Sequence, residues 1–137
     1  MTDSQVKAFW DERARERATD DWEVRHGNIW QGWLEIETIR QCLKPGDRML
    51  DVGCGAGYTT RLVADCVREA VGMDYSEAMI ERARAAAGSV PRLRFECGDV
   101  LALGPDRFGA FDVVLSSRCL INLGSWEGEL RAIRNIA

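Results

Sequence analysis

The sequence is poor in the residues on which much catalytic and metal chemistry depends. Its 137 residues include one histidine, His26, so a histidine triad or a multi-histidine metal centre would have to route everything through that side chain. The five cysteines, Cys42, Cys54, Cys66, Cys97 and Cys119, are odd in number, widely spaced and free of any C-x-x-C pair. A zinc site or a disulfide framework has no ligand pattern to rest on, and no metal is expected. The cysteines read as reduced thiols that pack like small apolar residues in a cytosolic protein. No apolar run approaches the roughly 18–20 residues of a membrane-spanning helix. The opening stretch, MTDSQVKAFWDERARERATD, is charged where a signal peptide would be apolar. Basic charge is also scarce: 18 Lys and Arg against 22 Asp and Glu leave a net charge of −4. The expectation is a cytoplasmic protein with neither membrane nor nucleic acid as a partner.

What is present is enough apolar material, 46% of residues, to build the core of one domain. Residues 4–17 carry Val6, Phe9, Trp10 and Ala14 at helical spacing, and residues 28–43 carry Ile29, Trp33, Ile36 and Leu43 likewise. Lys44-Pro45-Gly46-Asp47 then marks a turn. Four β-type runs follow: Arg48–Val52, Glu69–Met73, Leu93–Cys97 and Phe111–Ser116. Thr59–Val67 and Ser76–Ala87 read as the helices between the first three, and Met79, Ile80, Ala83 and Ala87 share one face of the second. Gly88 and Pro91 stop it. Ser125 is placed to cap a last helix from Trp126, with Leu130 and Ile133 facing inward. Alternating strands and helices predict an α/β domain of three layers, with a mainly parallel sheet and helices on both faces.

The strongest local signal is Leu50-Asp51-Val52-Gly53-Cys54-Gly55-Ala56-Gly57, a strand running into alternating glycines and then a helix. Glycines there let a ligand approach the backbone, and the helix start offers unpaired N–H groups. The loop sits at the carboxyl end of the first strand, where open α/β sheets place their ligands. A dinucleotide fingerprint would need its third glycine at the position of Tyr58, which argues against a nicotinamide or flavin dinucleotide. Instead Asp51 beneath the glycines suits a ligand part bearing a positive amine. Asp74, at the end of the second strand, can accept both hydroxyl protons of a ribose. Asp99, after the third, can accept from an adenine amino group while the Val100 N–H donates to the ring.

Asp51, Gly53–Gly57, Asp74 and Asp99–Val100 together resemble the motifs of the class I S-adenosylmethionine-dependent methyltransferases of small-molecule type, closely over roughly residues 48–123. Phe111–Leu123 is similar to that family's fourth strand and the loop after it, and Phe9-Trp10-Asp11-Glu12-Arg13-Ala14 looks like its N-terminal covering helix. The resemblance implies a Rossmann-like methyltransferase fold, with an N-terminal helical lid over 1–44 and a core over 45–137. It implies cofactor-binding roles for Asp51, Gly53, Cys54, Gly55, Gly57, Asp74, Tyr75, Met79, Asp99, Val100 and Ser117. In that arrangement the methionine amine lies near Asp51 and the Gly53 carbonyl, the ribose on Asp74, and the adenine between Tyr75 with Met79 and Val100. The implied reaction moves a methyl group from S-adenosylmethionine to a small-molecule acceptor by direct displacement, leaving S-adenosylhomocysteine. The alternative is a non-catalytic S-adenosylmethionine-binding or scaffolding domain that needs a partner chain.

Other residues read two ways. Asp51 and Asp74 are also suitable helix caps, Met79 is by default a core residue, and Cys54 reads as packing rather than as a nucleophile. Arg118 is placed to orient an acidic acceptor or the donor carboxylate, or simply to be solvated, and His26 is the natural general base if it meets the acceptor. Trp10, Trp22, Trp30 and Trp33 either wall an acceptor pocket or anchor the N-terminal helices to the sheet, the anchor being the simpler reading. Members of the resembled family continue with further strands beyond the fourth, so the core is expected to be incomplete at its C-terminus. The edge at Phe111–Ser116 is then expected to pair with a second copy or another chain.

Overall fold

The computed structural model describes residues 3–16 and 29–137. Helix α1 is Asp3–Glu16 and α2 is Ile29–Cys42. Strand β1 is Arg48–Val52, β2 Glu69–Asp74, β3 Leu93–Cys97 and β4 Val113–Leu115. Between them lie α3 (Tyr58–Val63), α4 (Glu77–Ala87) and the short α5 (Pro105–Phe108), and α6 (Trp126–Ile136) follows β4. His26 and Trp22 lie outside the described residues.

All four strands are parallel, in the order β3-β2-β1-β4. The stretches Met49–Leu50 of β1 and Ala70–Met73 of β2 are apolar and buried because both faces of these central strands are covered. Alternation along β1 sends Met49 to one face, where it joins Ile36 of α2, Val63 at the end of α3, Val67 and Ala70. It sends Leu50 and Val52 to the other face, where they meet Val71, Met73, Val100 and Ala132 of α6. Helix α4 closes the first face over β3 through Ile80, Ala83 and Phe95. The expected three-layer, parallel arrangement is the one observed.

The last strand is shorter than its apolar run. Ladder pairing with β1 covers only Met49 to Val113 through Asp51 to Leu115. Ahead of it, Asp112 turns its carboxylate onto the Arg48 N–H at 2.8 Å, and Phe111 lies under the Arg48 guanidinium at 4.9 Å. Ion pairing of Arg48 with Glu69 at 2.6 Å ties the same end of β1 to β2.

Two expectations about faces are corrected. In α6 the buried face runs through Ala132, with Ile136 packed on the same cluster, while Ile133 is 47% exposed. One residue is a turn of about 100° in a helix, and Asn135, whose amide reaches the Val100 carbonyl at 2.8 Å, fixes which face goes in. Among the described residues, Trp30 and Trp33 do not anchor the N-terminal helices to the sheet. Trp30 and Trp33 are exposed, and Trp10 packs with Ala14 against Ala56 and Met79, so α1 rests on α4. The anchor of α2 is Ile36.

Phe95 is 3% exposed and carries the contact between α4 and the edge strand. Phe95→Ala is expected to cost about 3–5 kcal/mol by leaving a cavity, whereas Ile133→Ala should cost well under 1 kcal/mol, as at other exposed positions. Urea denaturation midpoints of the two variants check the contrast.

Candidate active site

Every strand of this sheet ends on the same side, and the loops leaving β1, β2 and β4, with the turn after β3, surround a cleft of about 370 Å³. Its floor is the glycine loop. Gly53 and Gly57 both have φ near +75°, and each also admits a neighbour that a side chain would exclude. A Cβ at Gly53 would stand 2.6 Å from Cys119 Cβ, and one at Gly57 would stand 2.5 Å from the Phe95 ring. The close helix-to-sheet packing that dinucleotide folds assign to a glycine one position later is thus met here at Gly57. Tyr58 is free to open α3 with its side chain at the cleft. Around Gly55 a Cβ would find nothing within 4 Å, so bare backbone faces the space.

The loop is fastened to β2 by two kinds of bond. The Gly53 and Cys54 N–H groups donate to the Met73 carbonyl at 2.7 and 3.0 Å. The Asp74 carboxylate accepts from the Gly55 N–H and from the Ser76 N–H, each at 2.9 Å. Asp74 is 8% exposed. Burial pushes its carboxyl above the ordinary aspartate value, the two backbone donors pull back, and the nearby charge of Asp11 adds to the rise. Ser76, the N-cap of α4, also donates its hydroxyl to Asp11 of α1. For Asp11 itself, burial raises the carboxyl, but hydrogen bonds from Ser76 and Lys7 outweigh it and the value is lowered.

The remaining expected residues are distributed as follows. Asp51, 2% exposed, accepts from the Thr60 hydroxyl at 2.6 Å under the glycine loop. Tyr75, Met79 and Val100 line the cleft, and Met79 is at the same time a buried core residue against α1. Asp99 stands exposed at the rim, with one oxygen capping the following turn through the Leu101 N–H at 2.8 Å. Ser117 and Arg118 reach the cleft as well, but both turn to Glu35 of α2. Neither Glu35 nor Cys119 was singled out by motif reading, nor were Thr60 and Ser76 as partners of Asp51 and Asp74. A serine two residues after a strand-end aspartate and just before a helical run is a cap signal that could have found Ser76. Glu35 lies in an unremarkable helix with no such signal.

Comparisons with known proteins agree with this geometry. The methyltransferase-domain family matches residues 49–137. EEF1A lysine methyltransferase 4 of Bos taurus is 34% identical over 116 residues, covering 82% of this chain and 43% of that protein. Trans-aconitate 2-methyltransferase of Deinococcus radiodurans is 38% identical over 79 residues, covering 56% of this chain and 28% of that protein. The chain therefore spans less than half the length of either relative. Among solved structures, the N-methyltransferase NodS from Bradyrhizobium japonicum, in complex with S-adenosyl-L-homocysteine, superposes with a TM-score of 0.79 at 19% identity. That match covers 96% of this chain and 65% of that one, a likeness of fold.

Two cysteines sit in the cleft wall, and their chemistry is quiet. Burial first, then the charges of Asp51 and Asp74, holds the Cys54 thiol well above its usual range. Burial and Asp74 push Cys119 up to about 12. Thiolate is the reactive form, so neither is disposed to act as a nucleophile. Brief alkylation with iodoacetamide at pH 8 followed by mass spectrometry is expected to label the exposed Cys42 well before either of them.

Proposed function

Because the chain belongs to the class I S-adenosylmethionine-dependent methyltransferases, we propose that it holds the sulfonium donor in the cleft at the carboxyl ends of its strands. In this reading it passes the methyl group to a small-molecule acceptor. The observation that carries this is the convergence of a bare-backbone glycine loop and the Asp74 carboxylate on one largely apolar cleft of suitable size. The open backbone at Gly55 leaves room for the donor's amino-acid part, and Asp51 beneath the loop supplies the negative charge that its ammonium needs. Asp74 accepts the ribose hydroxyls, and Tyr75, Met79 and Val100 bracket the flat base, with Asp99 at its amino group.

The bound donor would supply a methyl carbon already activated by its sulfonium, which is lost as the neutral thioether when the acceptor's lone pair forms the new bond. The protein's contribution is then mainly orientation and exclusion of water. Gly53–Gly57 and Asp74 fix one end of the donor, while Val6 and Trp10 of α1 narrow the cleft. In this assignment residues 1–44 serve as the lid and 45–137 as the donor-binding core. The names of the relatives put a protein lysine and trans-aconitate among the acceptors of this family. The small-molecule choice here rests on the concave, largely apolar cleft and on the acidic balance of the chain, which gives no footprint for a nucleic acid. The alternative reading is a non-catalytic donor-binding or scaffolding domain that needs a partner chain. Turnover on a broad acceptor panel separates the two. The β4 edge, half-exposed throughout, is the surface we assign to pairing with a second copy, and sedimentation velocity tests it. Five unpaired thiols are in keeping with a cytoplasmic setting.

Calorimetric titration should show binding of S-adenosylmethionine and S-adenosylhomocysteine, and heat from NAD alone would sink the assignment. Asp74→Ala is expected to weaken S-adenosylhomocysteine by roughly 1–3 kcal/mol, the cost of unpairing buried hydrogen-bonding groups. The ionised carboxylate is the better acceptor for ribose hydroxyls, and burial raises the Asp74 value. Affinity should therefore fall as pH drops through a range that begins above the ordinary aspartate value. Asp74→Asn should flatten that profile, and an unchanged profile would remove Asp74 from the ribose role.

A further inference from the structure

The loop after β4 is bent against its own backbone preference. Among the described residues Arg118 alone, apart from glycines, has a left-handed φ, at 59°. An L side chain there crowds the neighbouring carbonyl, so the conformation persists only where the surroundings hold it from several sides. Glu35 of α2 holds one side. Its carboxylate accepts from the Ser117 hydroxyl at 2.6 Å and from the Arg118 guanidinium at 3.2 Å, gripping the residue before the bend and the residue at it. Asn122 holds the other, its amide donating to the Arg118 carbonyl at 2.6 Å. The next residue, Cys119, fills the space over Gly53 that any side chain at that position would need. The Glu35 side chain is only 23% exposed, so its bonds are partly shielded from water and salt.

We infer that Glu35 is a positioning residue of the donor cleft: through Ser117 and Arg118 it keeps the loop in its left-handed bend and Cys119 seated on Gly53. This rests on the reading of the cleft as the donor site. Without the carboxylate, residue 118 returns to a negative φ and the wall formed by Ser117 and Cys119 swings away from the glycine loop. Glu35 is 82 residues from Ser117, on the helix that precedes the whole sheet, so α2 governs the shape of a cleft it does not itself line.

The test is the affinity for S-adenosylhomocysteine, measured by calorimetry on the whole chain, together with hydrogen exchange at the Cys119 amide. Glu35→Ala should bind about tenfold more weakly, the effect of about one lost hydrogen bond, and exchange faster at Cys119. Adding Arg118→Gly should restore much of the affinity, since glycine takes positive φ at little cost. Adding Arg118→Ala, which removes the same ion pair and keeps the strain, should not. Equal behaviour of the two double variants, or wild-type affinity in Glu35→Ala, would overturn the inference. Glu35→Gln preserves volume and one acceptor, and provides the test if Glu35→Ala does not fold. A loss of about threefold is expected there from the missing charge, with faster exchange, and no change in either would also overturn the inference. If the wild-type chain does not bind S-adenosylhomocysteine, the donor reading fails, and exchange at Cys119 decides the role of Glu35 by itself.

Discussion

The Asp74 carboxylate is the interaction on which the site depends. One oxygen takes the N–H of Gly55 and the other takes that of Ser76, so a single side chain at the end of β2 sets both the floor of the cleft and the start of α4. Because Ser76 in turn meets Asp11, the same group also reaches α1. Three pieces of chain, which also pack together through Trp10, Ala14, Ala56 and Met79, are thereby referred to one anion. The arrangement is costly. A carboxylate this buried loses hydration that two backbone donors only partly return, and a second carboxylate stands nearby. A carboxylate already oriented by two backbone donors is well placed to accept further ones, which is the condition a hydroxylated ligand requires.

The cleft is also a product of omission. Gly53 and Gly57 lack side chains where Cys119 and Phe95 must fit. Each glycine therefore draws a different element onto the loop: Gly53 brings in the segment after β4, and Gly57 brings in the edge strand β3. Gly72 repeats the device in β2, where a Cβ would also strike the Phe95 ring. A single aromatic residue thus fills the absences of two glycines and determines how near α4 and β3 come to the ligand side of the sheet.

Much of this was legible in the sequence. Apolar runs and helical patterns located all four strands and the helices between the first three, because both faces of a parallel sheet must be apolar, while the short α5 went unread. Strand-end carboxylates and the glycine spacing pointed to one cleft, and the residues do meet there. Harder to read were contacts whose partners lie far apart in the chain and carry no local signature. Glu35 with Ser117 is of this kind. The faces of α6 and the tryptophans misled for a related reason. An amphipathic pattern tells which residues prefer burial, not how many of them the neighbouring element can cover, and Trp30 and Trp33 were left exposed.

The order β3-β2-β1-β4 has a bearing on how the chain acquires its shape. Arg48 finds Glu69 across 21 residues on one side of β1 and Asp112 across 64 on the other. Closing the longer loop costs about 1 kcal/mol more in chain entropy, so the left half of the sheet can zip from near neighbours while β4 waits for a distant one. Cys119 reaches Gly53 only after β4 has docked. The wall of the cleft is therefore among the last features to assemble and, by the same entropy, among the first to open when the protein is stressed.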